Sequence, residues 1–218
     1  MQKTAAAKLR AGLPISDFAF DQVYTPNIRV LSSRHWTPVE VAIRAAQLFQ
    51  DRGVRNVVDI GSGPGKFCIV GALSSQIRFT GIERRPLFVR AAREAADAFG
   101  VDRARARHGN ICEVDLRPFD GMYLYNPFGE QICDTLQSIG NDAEFSPIYY
   151  RYYIMAMLAH FARAAPGTVV ITYHGFGGRM PDGYTRVHDE PAGNDRLRVW
   201  MKDAAPAISS NPSTGTPR

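Results

Sequence analysis

The residues best suited to ligand chemistry form one short stretch, in which an apolar run ends in a glycine-rich turn. Val57 to Phe67 reads Val-Val-Asp-Ile-Gly-Ser-Gly-Pro-Gly-Lys-Phe, with Gly61, Gly63 and Gly65 at alternate positions after Asp59. An apolar run bounded by turn residues predicts a parallel strand buried on both faces. The glycines let the backbone turn sharply and lie close to a ligand. The alternative is a strand-to-helix turn that binds nothing, because a glycine motif alone is a weak signal.

A second acid, Glu83, ends the next apolar run, which starts at Phe79. It stands about twenty residues past the glycines, the distance at which a βαβ unit places a carboxylate to accept hydrogen bonds from ribose hydroxyls. The ligand is therefore expected to contain an adenosyl or similar ribosyl group. A dinucleotide fingerprint would need glycine in place of Lys66. A phosphate-binding Walker loop would need glycine in place of Ile60 and Ser or Thr in place of Phe67.

A third candidate site, Asn126-Pro127-Phe128, directly follows the apolar run from Asp120 to Tyr125. Ligands in open α/β sheets lie beyond the carboxyl ends of the strands, so this junction and the glycine turn are expected to face one crevice. We take the junction as the candidate active site. The alternative is that Asn126 and Pro127 only form the turn after the strand.

The stretch Val57 to Phe67 resembles the first motif of the class I S-adenosylmethionine-dependent methyltransferases, and Glu83 resembles their ribose-binding acid. The resemblance extends over residues 36 to 202 and implies S-adenosyl-L-methionine as the cofactor. It implies that Glu83 binds the ribose. It places along the methionine and ribose part of the cofactor Asp59, Gly61, Ser62, Gly63, Pro64 and Gly65.

The resemblance adds two further cofactor contacts. In related methyltransferases the helix before the first strand, with its entry loop, covers the cofactor, which implicates Trp36 and Thr37; the alternative is a plain helix cap with a packed indole. Asn110 and Ile111 occupy the place where the family contacts the adenine ring. The family often has an acid at the position of Asn110, and the amide carbonyl can still accept a hydrogen bond from the adenine amino group.

Asn126-Pro127-Phe128 resembles the Asn-Pro-Pro-aromatic motif of methyltransferases that act on amino or amide nitrogen. In that motif the Asn and the proline carbonyl accept the N–H bonds and the ring packs on the planar group. Only one proline is present here, so the aromatic residue comes one position early. The resemblance implies catalytic roles for all three residues, with Asn126 also at the cofactor.

The implied function is N-directed methyl transfer to a protein side chain or a nucleic-acid base. The alternatives are a small-molecule methyltransferase and a non-catalytic adenosyl-binding or interaction protein. No metal is required for this chemistry. The three cysteines are too few and too scattered for a disulfide framework or a zinc site.

The expected fold is α/β, a doubly wound, seven-stranded, mostly parallel sheet that closes with a C-terminal antiparallel hairpin. Residues 1–35 are expected to form an N-terminal arm, 36–202 the methyltransferase domain and 203–218 a disordered tail. Within the arm, residues 1–14 are predicted to be mobile with at most a frayed turn, and residues 17–35 to be extended with aromatics packed on the domain.

Local signals predict the remaining elements. Thr37 is predicted to cap a helix starting at Pro38, and Pro86 to Phe99 is predicted to be a helix that buries Leu87. Arg103 to Gly109 is predicted to be an exposed edge strand. A helix is expected from Ser146-Pro147 to Arg163, with most of its apolar residues in the core. The alternative is that the tyrosines of its first two turns line a substrate channel. A loop without a helix is expected at Gly175 to Gly183, followed by strands at Tyr184 to His188 and Leu197 to Lys202.

Composition limits the class of protein but does not identify a partner. The 218 residues are 45% hydrophobic, enough for one sizeable core. The net charge of +5 permits an acidic partner such as RNA or DNA, but arginine and alanine abundance can also reflect genome composition. No apolar run approaches the ~20 residues needed to span a bilayer. Without the apolar core of a signal peptide, the chain is expected to be cytoplasmic and not to associate with membranes.

Overall fold

The structure, a computed structural model, describes residues 2–128 and 147–204, except the side chains of Ser33 and Arg34. Its seven strands form one sheet in the order β3-β2-β1-β4-β5-β7-β6. The strands are β1 Asn56–Ile60, β2 Arg78–Glu83, β3 Ala104–His108, β4 Gly121–Tyr125, β5 Val169–Tyr173, β6 Tyr184–Ala192 and β7 Asp195–Lys202. The first five pair in parallel, and β7 pairs antiparallel with both β5 and β6. The predicted sheet, including its closing hairpin and the edge position of β3, is confirmed.

Helices cover the two faces of the sheet unequally. The described helices are α1 Gln2–Arg10, α2 Asp17–Asp21, α3 Pro26–Arg29, α4 Ser32–His35, α5 Val39–Gln50, α6 Lys66–Ser74, α7 Pro86–Phe99 and α8 Pro147–Arg163. One apolar core packs α1, α2, α5, α6 and α7 against the sheet. The core on the other face contains α8 and part of the chain between β3 and β4. The second face is therefore the one with room for a ligand.

The prediction of a mobile N-terminus and an extended arm was wrong. Residues 2–10 form α1, which buries Leu9 against a core shared with α6 and α7. The segment 17–35 forms three short helices, and the Phe20 ring stacks on Phe99 with centroids 4.8 Å apart. Helices this short have little intrinsic stability, so tertiary packing decides their conformation and a single sequence does not reveal it.

The predicted cap of α5 was also wrong. The helix begins at Val39, and its first N–H donates to the carboxylate of Asp17, at 2.9 Å, instead of to Thr37. The Thr37 hydroxyl lies 3.0 Å from the hydroxyl of Tyr123 in the core. A distant acid therefore replaces the local cap.

The prediction that α8 is mostly core was wrong. Met157, His160 and Phe161 are its buried residues, whereas Ile148, Tyr149, Tyr152 and Met155 are exposed. On α7, Leu87 is likewise exposed, 53%, where burial was expected. The predicted cap at Ser146 lies outside the described residues.

The C-terminal half agrees with the sequence in outline. Residues 175–183 contain neither helix nor strand, as predicted. The two last strands are longer than expected, so the connection between them narrows to Gly193 and Asn194. In the described part of the chain no helix has the length and apolarity to cross a membrane, and no group of His, Cys, Asp and Glu side chains is suited to hold a metal ion. Cys133 and residues 205–218 lie outside the described ranges.

Candidate active site

The glycine loop, residues 61–65, turns where β1 ends and leads directly into α6. Gly61, Gly63 and Gly65 all have left-handed backbones, with φ of 70°, 54° and 81°. A β-carbon at Gly61 would lie 3.1 Å from the β-carbon of Pro127, and one at Gly65 would lie 2.8 Å from that of Ala92. Glycine is therefore required for the turn and for the approach of β4 and α7.

The N–H groups of the loop are already used within the protein. Those of Gly61 and Ser62 donate to the Ile82 carbonyl at 3.0 and 3.1 Å, that of Gly63 to the Glu83 carboxylate at 3.0 Å, and that of Gly65 to the Ser62 carbonyl at 3.0 Å. Pro64 has no N–H. Loops that bind phosphate instead point successive backbone N–H groups at the anion. The loop geometry thus agrees with the exclusion of a Walker loop from the sequence.

Lys66, the residue after the loop, is also unavailable to a phosphate. Its side chain is 2% exposed, and its Nζ lies 2.6 Å from Asp17 and 2.8 Å from Asp21. It also donates to the Ser32 hydroxyl at 3.1 Å. These partners come from α2 and α4, so the ion cluster fixes the N-terminal helices against the start of α6. Tyr24 adds a hydrogen bond from its hydroxyl to the Pro64 carbonyl at 3.0 Å.

Glu83 is oriented by the backbone at the end of β2. One carboxylate oxygen accepts from the Gly63 N–H at 3.0 Å, and the other accepts from the Arg85 N–H at 2.8 Å. The residue is 4% exposed and lines the cleft described below. A carboxylate oxygen has more than one lone pair, so both can still accept from a ligand. The backbone thus fixes the carboxylate in the cleft wall, and its role in binding the ribose stays a prediction.

Asp59 is a buried acid on β1 that contacts Cys68 of α6 and does not line the cleft described below. Burial, together with the charge of Glu83, raises the pKa of Asp59 to about 7, although the Cys68 thiol donates to its carboxylate at 3.6 Å. Its folded pKa is therefore above the unfolded value of about 3.9. The folded chain consequently binds one more proton than the unfolded chain between these two values.

This excess proton gives the first prediction. The stability contribution of the Asp59 carboxyl is fully present below about pH 4, is lost as the pH rises towards 7, and is constant above that. The free energy of unfolding of the wild type, relative to Asp59→Asn, should therefore fall by about 1.4 kcal/mol per pH unit between pH 5 and 6.5. Urea denaturation at several pH values measures it. A difference that does not change with pH would mean that Asp59 is ionised throughout.

A cleft next to the glycine loop is open to solvent, and its space, including the open part, is about 520 Å³. Its walls are Ile60, Gly61, Ile82, Glu83, Arg84, Arg85, Gly109, Asn110, Ile111, Pro127, Phe128 and Tyr153. The structure thus brings six predicted site residues together here: Gly61, Glu83, Asn110 and Ile111, with Pro127 and Phe128 on the acceptor side. Apolar walls with a few converging polar groups are typical of a ligand site.

The far wall of the cleft is aromatic. The rings of Phe128 and Tyr153 are stacked, with centroids 5.3 Å apart and planes 8° apart. Asn110 donates through its side-chain nitrogen to the Tyr153 hydroxyl at 3.2 Å, and its side-chain oxygen accepts from the Cys112 N–H at 3.0 Å. Tyr153 belongs to the first two turns of α8 and lines this cleft; the substrate channel itself stays a prediction. Tyr150 instead bonds the Gly177 carbonyl.

Asn126 lies at the end of β4 but is not among the residues that line the cleft. It is exposed, its φ is 36°, and its N–H donates to the Gly175 carbonyl at 3.0 Å. Asparagine tolerates this left-handed conformation better than most residues, so the geometry fits a turn residue as well as a catalytic one. Strained backbones also concentrate at functional sites. The role of Asn126 stays a prediction.

Six further predicted cofactor contacts do not line the cleft either: Thr37, Asp59, Ser62, Gly63, Pro64 and Gly65. Their roles at the cofactor stay predictions. The Thr37 hydroxyl is buried against Tyr123, and the Ser62 hydroxyl is buried without a hydrogen-bond partner. A β-carbon at Gly81 would lie 2.3 Å from the Ser62 oxygen, so this glycine makes room for it.

Sequence reasoning did not single out two groups at this end of the sheet. Arg84 and Arg85 line the cleft directly after Glu83, and their signal was a basic pair following the ribose acid. His174 follows β5 with φ of 57°, and its Nδ1 lies 3.1 Å from the Asp195 carboxylate. Gly175, which accepts from Asn126, is its neighbour. Only the hairpin brings Asp195 to His174, so no local pattern reveals this pair.

Comparison with known proteins shows which protein family and which solved structures this chain is similar to. Residues 52–151 match the family model described as a methyltransferase domain. An RNA methyltransferase from Salinibacter ruber, solved with S-adenosyl-L-homocysteine, is 24% identical with a TM-score of 0.54, over 78% of this chain and 94% of that one. A putative O-methyltransferase from Klebsiella pneumoniae is 16% identical with a TM-score of 0.57, over 93% and 97%.

TrmN from Thermus thermophilus also shares the fold, at 18% identity and a TM-score of 0.55, over 80% of this chain and 52% of that one. No curated protein matches the sequence. Identities this low show the fold alone. The sheet order, the glycine loop and the family match together confirm the resemblance to class I S-adenosylmethionine-dependent methyltransferases. The Salinibacter ruber protein holds S-adenosyl-L-homocysteine, the demethylated form of the cofactor that the resemblance implies.

Proposed function

We propose that this chain transfers a methyl group from S-adenosylmethionine to a nitrogen atom of a protein side chain or a nucleic-acid base. The observation that carries the proposal is the junction of β4 with the glycine loop. Pro127 packs on Gly61, and Phe128 stacks on Tyr153 in the wall of the same cleft. A flat aromatic wall next to a cofactor loop suits a planar acceptor.

The cofactor half of the cleft fits S-adenosylmethionine. Glu83 would accept hydrogen bonds from the ribose hydroxyls. Asn110 and Ile111 would contact the adenine, Asn110 with the second lone pair of its side-chain oxygen. The Trp36 indole N–H is buried near Gly63 and has no acceptor among the residues that the structure describes, so it would donate to the cofactor carboxylate. The methionine part of the cofactor would be surrounded by Thr37, Asp59, Ser62, Gly63, Pro64 and Gly65.

The acceptor half would use the three residues of the junction. The Asn126 side chain and the Pro127 carbonyl would accept N–H bonds from the acceptor nitrogen, and Phe128 would hold its planar group. When bound, S-adenosylmethionine supplies an electrophilic methyl group. The residues of this chain contribute position, because in-line approach of the nitrogen lone pair needs little else. The second candidate is a protein that binds the cofactor without catalysis. The observation in its favour is that the backbone of Asn126 has the geometry of a turn residue, with φ of 36° and an N–H bond to Gly175.

Methyl transfer from labelled S-adenosylmethionine tests the proposal. The protein is incubated with cell extract, and protein, RNA, DNA and small-molecule fractions are separated and analysed by mass spectrometry. We expect label on nitrogen in protein or nucleic acid. Label on oxygen or in a small molecule would contradict the N-directed proposal. Cofactor binding without label in any fraction would favour the non-catalytic candidate.

A second prediction concerns the ribose acid. Glu83→Ala should weaken binding of S-adenosylmethionine by roughly 1.5–3 kcal/mol, the scale of hydrogen bonds to a charged group. The variant also removes the acceptor of the Gly63 N–H, so a small loss of stability is expected. Isothermal titration calorimetry measures the affinity, with the exposed Glu94→Ala on α7 as the matched control. An unchanged dissociation constant would show that Glu83 does not bind the ribose.

A further inference from the structure

We propose that the surface formed by Arg84, Arg85, Arg105 and Arg107, hereafter the arginine row, binds the phosphate backbone of a single-stranded nucleic acid and leads one of its bases into the cleft. This inference rests on the proposed function and narrows its acceptor to a nucleic-acid base. It concerns a surface outside the cofactor loop. Its evidence is the strand register and exposure of Arg105 and Arg107, and the position of Arg84 and Arg85 in the wall of the cleft.

The register of β2 and β3 places the row beside the cleft. Arg107 is the Cα partner of Ile82, and Arg105 is the partner of Thr80. Residues paired across parallel strands point to the same face of the sheet, and neighbouring strands lie about 4.8 Å apart. Ile82 lines the cleft, so Arg107 stands one strand outward from the cleft wall on the same face. Alternation puts Arg105 on that face as well.

This face is open because of how the chain connects β3 to β4. Residues 109–120 form turns instead of a helix, so this connection does not cover the outer strands. Arg105 and Arg107 are exposed, whereas Ala104, which points to the other face, is buried in the core with α6 and α7. A strand that alternates arginine outward with alanine inward therefore presents positive charge at the edge of the site.

Arg84 and Arg85 continue the row to the cleft itself. Both line the cleft directly after Glu83. One terminal nitrogen of Arg84, Nη2, is buried without a hydrogen-bond partner in the described structure. A buried guanidinium nitrogen needs an acceptor, and phosphate oxygens match the guanidinium fork. Positive charge is therefore present both on the exposed edge strand and in the wall of the cleft.

The row differs in charge balance from the other arginine cluster of the sheet. At the opposite edge, Arg186, Arg196 and Arg198 surround Asp189 within 2.5–3.8 Å. For Arg105 and Arg107 the described residues supply no such ion pair. The acids nearest in sequence are Asp102, before β3, and Glu113 and Asp115, after it, and Asp115 is already bound by Arg117. The cluster around Asp189 stabilises a hairpin, whereas the charges of Arg105 and Arg107 are available to a partner. Arg85 differs from these two, since its guanidinium lies 3.9 Å from the Glu83 carboxylate.

A basic row that ends at an aromatic wall has the features of a single-strand binding surface. Arginines neutralise the backbone, and stacked aromatic rings accept a base, since every base has a flat face. Phe128 and Tyr153 form that wall at the inner end of the row. An acidic protein would also be attracted to the charge but would have no use for a planar slot. The combination favours nucleic acid.

Fluorescence anisotropy with a labelled single-stranded RNA of mixed sequence, and with the matching DNA, tests the inference. We expect the wild type to bind and Arg105→Glu/Arg107→Glu to bind at least about 10-fold more weakly. The slope of log affinity against log salt should fall by about 2, close to one for each lost phosphate contact. Lys8→Glu/Arg163→Glu is the matched control, because it changes the same charge at exposed sites on α1 and α8.

The inference would be overturned if the wild type bound neither RNA nor DNA, or if both double variants lost the same amount of affinity. It would also be overturned if polyglutamate bound as tightly as nucleic acid and lost as much affinity in Arg105→Glu/Arg107→Glu. That last result would assign the row to acidic proteins. Calorimetry with S-adenosylmethionine should give the same affinity for both double variants and the wild type. Nucleic-acid binding without methyl transfer would contradict the proposed function alone. Label on protein with no nucleic-acid binding would contradict this inference alone.

Discussion

Replacing Asn126 with glycine is expected to slow methyl transfer by about 10²-fold or more, because ~2.7 kcal/mol of transition-state positioning corresponds to that factor. Glycine is the informative substitution since the backbone at this position has φ of 36°. Asn126→Gly keeps the left-handed turn and removes only the side chain. Turnover is measured as label transferred from S-adenosylmethionine to the extract fraction that the wild type labels.

Two companion measurements separate catalysis from structure. Cofactor affinity and melting temperature should be nearly unchanged in Asn126→Gly, whereas Asn126→Ala should also lose about 1 kcal/mol of stability through backbone strain. If Asn126→Gly kept the turnover of the wild type, Asn126 would have no catalytic role and would only form the turn. The remaining candidates for acceptor contact would then be Pro127 and Phe128, which line the cleft.

Replacing Lys66 with methionine is expected to lower the free energy of unfolding by about 3–5 kcal/mol, the scale for removing one partner of a buried ion pair. The variant leaves Asp21, 4% exposed, without its cation. It also removes a partner of Asp17, which holds the first N–H of α5. Urea denaturation measures the loss. Lys8→Met, on the exposed side of α1, is the control and should change stability by less than about 0.5 kcal/mol.

A double-mutant cycle tests whether the ion cluster is the cause. Lys66→Met combined with Asp21→Asn should lose clearly less stability than the sum of the two single variants, because the second change removes the stranded charge. Additive losses would mean that Lys66 stabilises the fold through packing, for example against the Phe20 ring 5.7 Å away. Saturating S-adenosylmethionine should restore part of the stability, since it binds the folded state.

Features with local signals could be predicted from the sequence. Helix α7 begins at Pro86 and is followed by Gly100 in a left-handed conformation, as expected from these two residues. The glycine turn and Glu83 fall where the βαβ spacing placed them. In each case the signal and the structure it determines lie within a few residues, so one chain is enough to read them.

Features that depend on distant residues could not be predicted. The N-terminal helices exist because Lys66, far along the chain, binds Asp17 and Asp21, and because Phe20 stacks on Phe99. The position of Arg107 beside Ile82 requires the register of β2 and β3. Which side of α8 is buried depends on how the helix packs on the sheet, where Met157, His160 and Phe161 are its buried residues. The sequence pattern alone predicts none of these contacts between distant residues.

Calorimetric titration with S-adenosylmethionine, S-adenosylhomocysteine, NAD and ATP tests the central claim most directly, because it needs no acceptor. The glycine spacing, the internally bonded loop N–H groups and Glu83 predict one site that binds the first two ligands and neither NAD nor ATP. Lys66 is held by Asp17 and Asp21 and would not serve a phosphate. Tighter binding of NAD than of S-adenosylmethionine would contradict the account.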